Sequence, residues 1–317
     1  QLKQGKLNYE IVPVLNVTDP EKALNVTDMS PLHVNWVKKH LKKDQENEIR
    51  LAKKFCKSIG VYGAESYISG FSGHVIDILI INYGSLVNLL NQSQKWKKRQ
   101  IIDVEKYYKN SQEVLFNLNQ SKIQGPLIVI DPIDKKRNAS SALNYEKFSL
   151  FIKKAKEFLN KPGEKFFEEL IVGKTELKKK FKKNLYIINL EAKIGKRDVI
   201  GSKILKSFKF LKSELTTLGF TIKDSGWSWN NKKRVLFWFV LKNIILPDEQ
   251  LIKGPPLDKE KGCIEFKKKY DNVFEQDNQL FSKVNITKKT LEDNLPNIIN
   301  KDYFKSKIKY ISYEKYI

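Results

Sequence analysis

The sequence predicts a multidomain α+β protein. With 317 residues, the chain is long enough for two or three domains of common size. Its first half is rich in apolar and amphipathic helical patterns, whereas its second half contains a strand, an amphipathic helix and a hairpin in succession. This β-α-β-β order is typical of a split-βαβ module, so we expect a ferredoxin-like α+β body there. Pro162 and Gly163 mark the boundary before it.

The amino-acid composition indicates a polyanionic partner. The 59 Lys and Arg residues exceed the 36 Asp and Glu residues and give a net charge of +23, which favours nucleic acid. A genome rich in A and T would also inflate lysine, but it explains the net charge less well. The two cysteines, Cys56 and Cys263, lie far apart, so a reducing, cytoplasmic location is expected. No apolar run reaches about 18 residues, so we expect no membrane span.

Residues 7–14 alternate apolar and polar side chains and predict a strand that Pro13 ends. Glu10 lies on its polar face. A single carboxylate on a strand is usually solvated, and it becomes a candidate Mg²⁺ ligand only when other carboxylates lie beside it. Because the chain begins at Gln1 and its only methionine is Met29, we expect a fragment without its N-terminus.

Two helices near the N-terminus carry candidate ligand-binding residues. His33 falls in the first turn of a helix that starts at Ser30-Pro31, near the positive end of its dipole, where it could meet a phosphate or a ribose hydroxyl. A lone histidine is nevertheless more often structural. Lys53 borders the buried stripe of the helix predicted over residues 44–59, which Asp44 caps. It can extend to solvent or point at an anion.

Residues 61–73 form a polar loop that contains Gly63 and Gly70 and leads into an apolar helix. Ser72 predicts the N-cap of that helix and Gly84 its end. The helix is apolar nearly all round, so it should be deeply buried. The loop either holds backbone close to a ligand, with Tyr62 at its mouth, or is only a tight connection into the core.

Other segments are predicted from their local patterns. The basic residues around Trp96 favour either an RNA contact or a solvated face. We predict a buried strand at 126–131, a polar turn at 131–138, a helix from about 140 to 159, a strand at 185–192, a helix at 202–218, a hairpin over 220–229 and 234–241, and a rigid exposed loop at 252–258. The sequence has no zinc-finger spacing, P-loop or Gly-x-Ser-x-Gly motif.

Several stretches, taken together and in order, resemble the archaeal-type, class I CCA-adding enzymes. They are Asp28-Met-Ser-Pro-Leu-His33-Val-Asn-Trp36, Val61-Tyr-Gly-Ala-Glu65 through Phe71-Ser-Gly73, Tyr83-Gly-Ser85, Val129-Ile-Asp-Pro-Ile-Asp-Lys-Lys-Arg-Asn138, and Lys253-Gly-Pro-Pro-Leu-Asp258. The resemblance extends over nearly the whole chain.

This resemblance implies a tRNA nucleotidyltransferase that adds C, C and A to tRNA 3′ ends without a template, from CTP and ATP and with Mg²⁺. It also implies three segments: the end of a nucleotidyltransferase palm at 1–25, a helical central domain at 26–162, and an RNA-binding body with part of a tail at 163–317. The partners would be tRNA and the two nucleotides, with no membrane, and a homodimer is a further expectation.

The same resemblance implies roles for single residues. Glu10 would be the third metal-binding, catalytic carboxylate. His33, Lys53 and Tyr62 would bind the incoming nucleotide, with Lys53 on the triphosphate. Ser30 would lie beside the triphosphate, and Arg137 near the base of the incoming nucleotide and the primer end.

The sequence departs from the family pattern in two ways. The third carboxylate is usually Asp rather than Glu10, and the family's Gly-Ser turn and paired carboxylates would lie before Gln1. We therefore expect the polypeptide as given to be inactive on its own. The alternatives are a poly(A) polymerase-like nucleotidyltransferase and a non-catalytic RNA-binding protein.

Overall fold

The computed structural model describes residues 2–5, 7–9, 11–25, 27–168 and 172–316. The chain forms two compact units, Gln1–Leu170 and Ile171–Ile317. Both helices and sheets occur, so the predicted mixed α+β class is confirmed. Glu10 lies outside the described residues, and its predicted role stays a prediction.

The first unit consists mainly of helices with two small two-stranded sheets. In chain order its elements are β1 (Leu2–Gln4), β2 (Leu7–Tyr9), α1 (Ser30–His40), α2 (Gln45–Ser58), α3 (Gly73–Tyr83), α4 (Leu86–Ser93), β3 (Gln100–Ile102), α5 (Ser111–Asn117), β4 (Leu127–Val129) and α6 (Tyr145–Asn160). Strands β1 and β2 pair antiparallel, whereas β3 and β4 pair in parallel.

Helix α3 lies at the centre of the first unit's core, as its sequence predicts. The side chains of Val75, Ile78 and Ile80 are fully buried. The Ser72 hydroxyl accepts a hydrogen bond from the backbone N–H of Val75 at 3.2 Å, and Gly84 ends the helix with φ of 90°. Both predicted helix boundaries are therefore confirmed, because capping and a left-handed stop are local properties of the chain.

The loop before α3 is closed by backbone hydrogen bonds. The N–H of Gly63 donates to the carbonyl of Phe71 at 2.8 Å, and the N–H of Gly70 donates to the carbonyl of Gly63 at 2.8 Å. A Cβ atom at position 70 would lie 2.1 Å from the carbonyl oxygen of Val61. Only glycine permits this approach of two backbone segments.

The predicted strand over residues 7–14 is shorter in the structure. Strand β2 covers Leu7–Tyr9, and the segment 11–17 has no regular structure. Within this segment the N–H of Leu15 donates to the carboxylate of Asp28 at 3.0 Å, so a side chain, and not a neighbouring strand, is its hydrogen-bond partner.

Two predicted helix starts also differ. Asp44 adopts φ of 68° and makes no side-chain cap, while the Gln45 side chain accepts a hydrogen bond from Lys42 N–H at 2.9 Å. Helix α6 begins after Asn144, which caps it, rather than near Ser140. The hydroxyl of Ser140 donates to the carbonyl of Leu127 at 2.7 Å, so this residue is engaged with β4 instead of the helix.

Trp96 is partly buried and packs against the core of the first unit. Its ring stacks with those of Phe148 and Phe151, each at 5.9 Å between centroids, and its indole N–H donates to the Tyr83 hydroxyl at 3.2 Å. The ring therefore packs against the core, while the basic residues around it are exposed, and their role as an RNA contact or a solvated face stays a prediction.

The second unit contains two antiparallel sheets. In chain order its elements are α7 (Lys174–Lys180), β5 (Leu185–Ala192), α8 (Arg197–Thr217), β6 (Ile222–Trp229), β7 (Arg234–Leu241), β8 (Glu249–Pro256), α9 (Glu260–Lys269), β9 (Val273–Gln276), β10 (Gln279–Asn285), α10 (Leu291–Ile299), α11 (Asp302–Lys305) and β11 (Ile308–Tyr316). One sheet has the strand order β11-β5-β7-β6 and the other β8-β10-β9.

The predicted strand at 185–192 and the predicted hairpin are confirmed by β5, β6 and β7. Helix α8 begins at Arg197, earlier than the apolar pattern indicates. The predicted rigid exposed loop at 252–258 is wrong, because β8 extends through Pro256 and pairs with β10. Gly254 has no side chain to separate this strand from the ring of Phe266, which a Cβ atom would approach to 2.9 Å.

Within the described residues, no single helix is long and apolar enough to cross a membrane. Helices α3 and α4 reach the required length and composition only together, and they bend by 92° at their junction.

Candidate nucleotide site

Five of the six residues predicted for the site lie in the first unit and within the described residues. Helix α1 carries Ser30 and His33 in its first turn, α2 carries Lys53, the loop before α3 carries Tyr62, and the turn after β4 carries Arg137. Separate elements therefore supply the side chains. How close these side chains lie to one another depends on how the helices pack around α3.

The buried carboxylate of Asp131 joins His33 to Arg137. The ring N–H at Nε2 of His33 donates to both carboxylate oxygens at 3.0 Å, and Nη1 of Arg137 lies 2.5 Å from Oδ2. The N–H of Ile133 donates to Oδ1 at 3.1 Å. Burial alone would raise the pKa of Asp131, but these hydrogen bonds and the nearby positive charge lower it below its ordinary value. The carboxylate thus fixes the orientation of both side chains.

His74, in the first turn of α3, lies against His33. The two ring centroids are 4.0 Å apart and the rings are tilted by 48°. Burial, reinforced by the neighbouring His33, lowers the pKa of His74 to about 4. Its Nε2 atom is buried and has no hydrogen-bond partner among the described residues. His74 is therefore a neutral imidazole with an unused nitrogen.

Lys53 forms an ion pair with Asp77 of α3, at 2.7 Å between Nζ and Oδ1. Burial raises the pKa of Asp77, although the hydrogen bond from Lys53 opposes that shift. The lysine therefore points inward along α3 instead of extending to solvent. An ammonium group has three donors, so two remain for an anion.

Tyr62 meets Lys53 at the start of α3. A Cβ atom at Gly73 would lie 3.0 Å from the Tyr62 hydroxyl and 3.8 Å from Nζ of Lys53. The ammonium of Lys57 lies 5.0 Å from the centroid of the Tyr62 ring, a cation–π distance. The absence of a side chain at Gly73 leaves room for the hydroxyl and the ammonium beside the helix N-terminus.

A cavity of about 300 Å³ opens between α1 and α3. Its lining residues are Ser30, His33, Val34, Val37, Lys38, His74 and Asp77. It combines a hydroxyl, two imidazoles and an ion-paired carboxylate with an apolar wall. Such a mixture suits a polar small molecule with an extended body, such as a nucleotide.

The structure therefore brings the predicted residues together in two linked groups. Ser30 and His33 share the cavity, and Arg137 reaches His33 through the carboxylate of Asp131. Lys53 and Tyr62 meet at Gly73, and the ion pair of Lys53 extends to the cavity wall.

Three polar residues of this site were not predicted as functional. They are His74, Asp77 and Asp131. The sequence contains a signal for the first two, because residues three apart on a helix lie on one face, and this pair interrupts the apolar pattern of α3. Asp131 was recognised only as part of a turn, since its contact with His33 spans 98 residues of sequence.

One group of described residues could hold a metal ion. Ligand atoms of His33, His74 and Asp131 lie within 4.8 Å of one another. Mg²⁺ takes oxygen ligands and keeps several waters, so a set with two imidazole nitrogens does not fit it. The predicted Mg²⁺ ligand, Glu10, lies outside the described residues.

Comparisons with known proteins match this region and most of the chain. A family profile described as "tRNA nucleotidyltransferase, second domain" matches residues 47–168. The chain is 34% identical over 291 residues to the CCA-adding enzyme of Nanoarchaeum equitans. The aligned residues cover 89% of this chain and 68% of the relative. It is 31% identical over 274 residues to the CCA-adding enzyme of Methanococcus maripaludis. These residues cover 83% of this chain and 59% of that relative.

A third relative, the CCA-adding enzyme of Pyrococcus abyssi, is 33% identical over 250 residues, which cover 78% of this chain and 54% of the relative. The chain thus spans from just over half to two thirds of the length of these relatives.

Proposed function

The chain belongs to the family of CCA-adding enzymes, and from this premise we propose that it provides the nucleotide-binding and tRNA-binding parts of an enzyme that adds C, C and A to tRNA 3′ ends. CTP and ATP are the proposed nucleotides. The observation that carries the proposal is the convergence of Ser30, His33, Lys53, Tyr62 and Arg137 around one end of α3 and the adjoining cavity.

We propose that cations at this site bind the triphosphate. Lys53 is held beside the N-terminus of α3 by its ion pair with Asp77, and its side chain is only part-buried. Arg137 is oriented by the buried Asp131. Positioned cations and helix-end N–H groups favour phosphate binding. They also offset charge that develops on a phosphate while a tRNA 3′ hydroxyl attacks it.

His33 and Tyr62 have proposed positioning roles. The imidazole of His33 faces the cavity while Asp131 holds its Nε2. The hydroxyl of Tyr62 lies at the start of α3, beside Lys53. Each can hold a nucleotide in one orientation without taking part in bond making.

The second unit is proposed as the tRNA-binding body. The β-α-β-β-α-β succession of β5, α8, β6, β7, α10 and β11, with the sheet order β11-β5-β7-β6, supports its assignment as ferredoxin-like. The protein's large positive charge favours contacts with phosphates and with RNA shape instead of base sequence.

The division into a palm remnant at 1–25, a central domain at 26–162 and a body at 163–317 remains a prediction. Phe166 packs against Phe55 and Phe158 in the core of the first unit. This packing favours a boundary near residue 170. The use of Mg²⁺, a homodimer and a cytoplasmic location also remain predictions.

A poly(A) polymerase-like activity is the alternative within enzymes. The length of the product made by the completed enzyme separates the two, because addition of three nucleotides and open-ended tailing differ on a denaturing gel. A non-catalytic RNA-binding protein is the other alternative, and it requires no nucleotide site.

Nucleotide binding by the 317-residue chain tests the proposal directly. We expect Lys53→Ala to weaken ATP and CTP binding, measured by calorimetry, by about tenfold or more, since a hydrogen bond to a charged group contributes about 1.5–3 kcal/mol. Lys54→Ala is the matched control, because Lys54 is the next residue of α2 and is exposed. Equal effects of the two substitutions, or no nucleotide binding by the unsubstituted chain, would contradict the proposed site.

A further inference from the structure

We propose that His33, His74 and Asp131 form a binding site for a transition-metal ion of the zinc type, separate from the Mg²⁺ expected for nucleotidyl transfer. The three side chains come from α1, α3 and the turn after β4, so the site exists only in the folded first unit. Direct metal binding does not depend on the proposed function.

The geometry supplies three suitable ligand atoms in one place. A nitrogen from each histidine and an oxygen of Asp131 lie within 4.8 Å of one another. The ring centroids of the two histidines are 4.0 Å apart. Zinc binds imidazole nitrogen and carboxylate oxygen at about 2.0–2.2 Å, so small shifts of these side chains bring all three within reach of one ion.

His74 is the independent observation that points to a ligand. Its Nε2 atom is buried and finds no hydrogen-bond partner among the described residues. A buried polar nitrogen without a partner is costly, whereas a metal bond would satisfy a histidine nitrogen.

The surroundings of Asp131 and His33 are those of a supported metal ligand. Arg137 and the Ile133 N–H already bind the carboxylate oxygens and hold them in place. Such second-shell contacts orient ligands. The imidazole of His33 can coordinate through Nε2 when its ring proton moves to Nδ1, so the change is one of tautomer and no net proton is lost.

The coordination would be incomplete on the side of the cavity. His33 and His74 both line the space between α1 and α3. Two imidazoles and one carboxylate leave a fourth, tetrahedral position, which water or a phosphate oxygen from the cavity can fill. Two nitrogen ligands select zinc-type ions over Mg²⁺.

Metal binding here would also affect the nucleotide site, an effect that rests on the proposed function. An ion bound to Nε2 of His33 displaces the hydrogen bond that this nitrogen now donates to Asp131. The bound ion would therefore change the orientation of His33 in the cavity.

Cobalt(II) is the probe for the test, because its visible absorption reports tetrahedral coordination by protein ligands. We expect the 317-residue chain, titrated without nucleotide, to bind one Co²⁺ per chain and Zn²⁺ to displace it. His74→Phe should weaken Co²⁺ binding by about a hundredfold or more. Removal of a residue that only supports a ligand typically weakens metal binding by about 10–100-fold, so this larger loss indicates a direct ligand. Thermal unfolding of the variant checks that it remains folded.

The chain contains three histidines, and His40 is the one outside the proposed site. It lies on α1, as His33 does, and is therefore a matched control. His40→Gln should leave Co²⁺ binding unchanged. X-ray absorption of the zinc-loaded, unsubstituted chain should show nitrogen and oxygen ligands without sulfur, which excludes Cys56 and Cys263 and does not depend on any variant folding.

Absence of one-to-one binding, sulfur coordination, or equal weakening by His74→Phe and His40→Gln would overturn the metal site. None of these outcomes would alter nucleotide binding by the metal-free chain or its dependence on Lys53, so failure of the metal site and failure of the proposed function remain distinguishable.

Discussion

Tyr62 shows how one residue depends on its neighbours for a functional role. Its hydroxyl lies where a side chain at Gly73 would be, and the ammonium of Lys57 lies over its ring. A tyrosine in an otherwise unconstrained loop would have many orientations. Here the closed backbone of the loop and the start of α3 restrict it to the edge of the candidate nucleotide site.

We predict that Tyr62→Ala weakens nucleotide binding by about tenfold while leaving tRNA binding nearly intact. Loss of a hydrogen bond from the Tyr62 hydroxyl to a charged phosphate costs about 1.5–3 kcal/mol, and the proposed tRNA body lies in the other unit. Calorimetry with ATP and fluorescence anisotropy with tRNA measure the two quantities. Tyr145→Ala, at an exposed position that starts α6, is the control. A parallel loss of both ligands would count against a local role for Tyr62.

His74 and Asp77 illustrate what residue-level patterns conceal. Both lie on α3, whose other side chains are largely buried and apolar. The sequence predicts a deeply buried helix, yet one face of α3 lines the cavity with these two polar groups. A single polar residue in an apolar helix is ambiguous in sequence, because only the neighbouring elements decide whether it meets solvent, a partner or a ligand.

At the scale of elements, the loop over residues 61–73 and α3 act as one structure. Backbone hydrogen bonds close the loop, and the carbonyl of Ser69 accepts a hydrogen bond from the N–H of Asn144, the residue that caps α6. Gly70 is required by close backbone contact, and Gly63 by its φ of 124°, which lies in the region that favours glycine. The loop is therefore both a tight core connection and the support for Tyr62, so the two alternatives considered from sequence do not exclude each other.

We predict that Gly70→Ala lowers the free energy of unfolding by about 2 kcal/mol or more, because severe steric strain belongs to the small class of strongly destabilising changes. The new Cβ atom would lie 2.1 Å from the carbonyl oxygen of Val61. Denaturant unfolding of the chain measures the effect.

Gly163→Ala is the matched control for this prediction. Its φ of 177° is extended backbone, and a Cβ atom there would meet nothing within 4 Å. It should change the unfolding free energy little. Equal stability of the two variants would show that the loop can rearrange and that Gly70 has no special requirement.

At the scale of the whole molecule, charge is the dominant property. The net charge of +23 belongs to the entire chain, and it matches the phosphate backbone of a folded RNA better than any small ligand. Many individual lysines lie on the surface, for example along α7, and each contributes little alone. Together they produce a field that attracts a polyanion.

We therefore predict that tRNA affinity falls steeply with salt, because phosphate contacts release counterions. A protein that makes about 6–10 phosphate contacts loses roughly a thousandfold or more in affinity between 50 and 200 mM salt. Fluorescence anisotropy at several KCl concentrations gives the slope. The unfolding midpoint over the same salt range is the control, because it shows that the fold is unchanged. An affinity that does not vary with salt would be inconsistent with binding through phosphates.

The sequence alone determined the features that depend on short segments. Ser72 and Gly84 set the ends of α3, and the alternating patterns of β5 and of the hairpin β6–β7 predicted those strands, because caps, turns and apolar periodicity act over a few residues. The order and spacing of the motifs also supported the family resemblance, which implied the set of candidate nucleotide-binding residues. The strand at 7–14 and the loop at 252–258 were misjudged because pairing partners are not visible locally.

Only the tertiary structure decided which side chains meet. His33 and Asp131 are 98 residues apart in sequence, and the ion pair of Lys53 joins two different helices. Packing around the buried face of α3 brings these groups together, and burial there lowers the pKa of His74 and raises that of Asp77. No short segment of the chain could predict the unused nitrogen of His74 or the proposed metal site, because both depend on packing between distant segments.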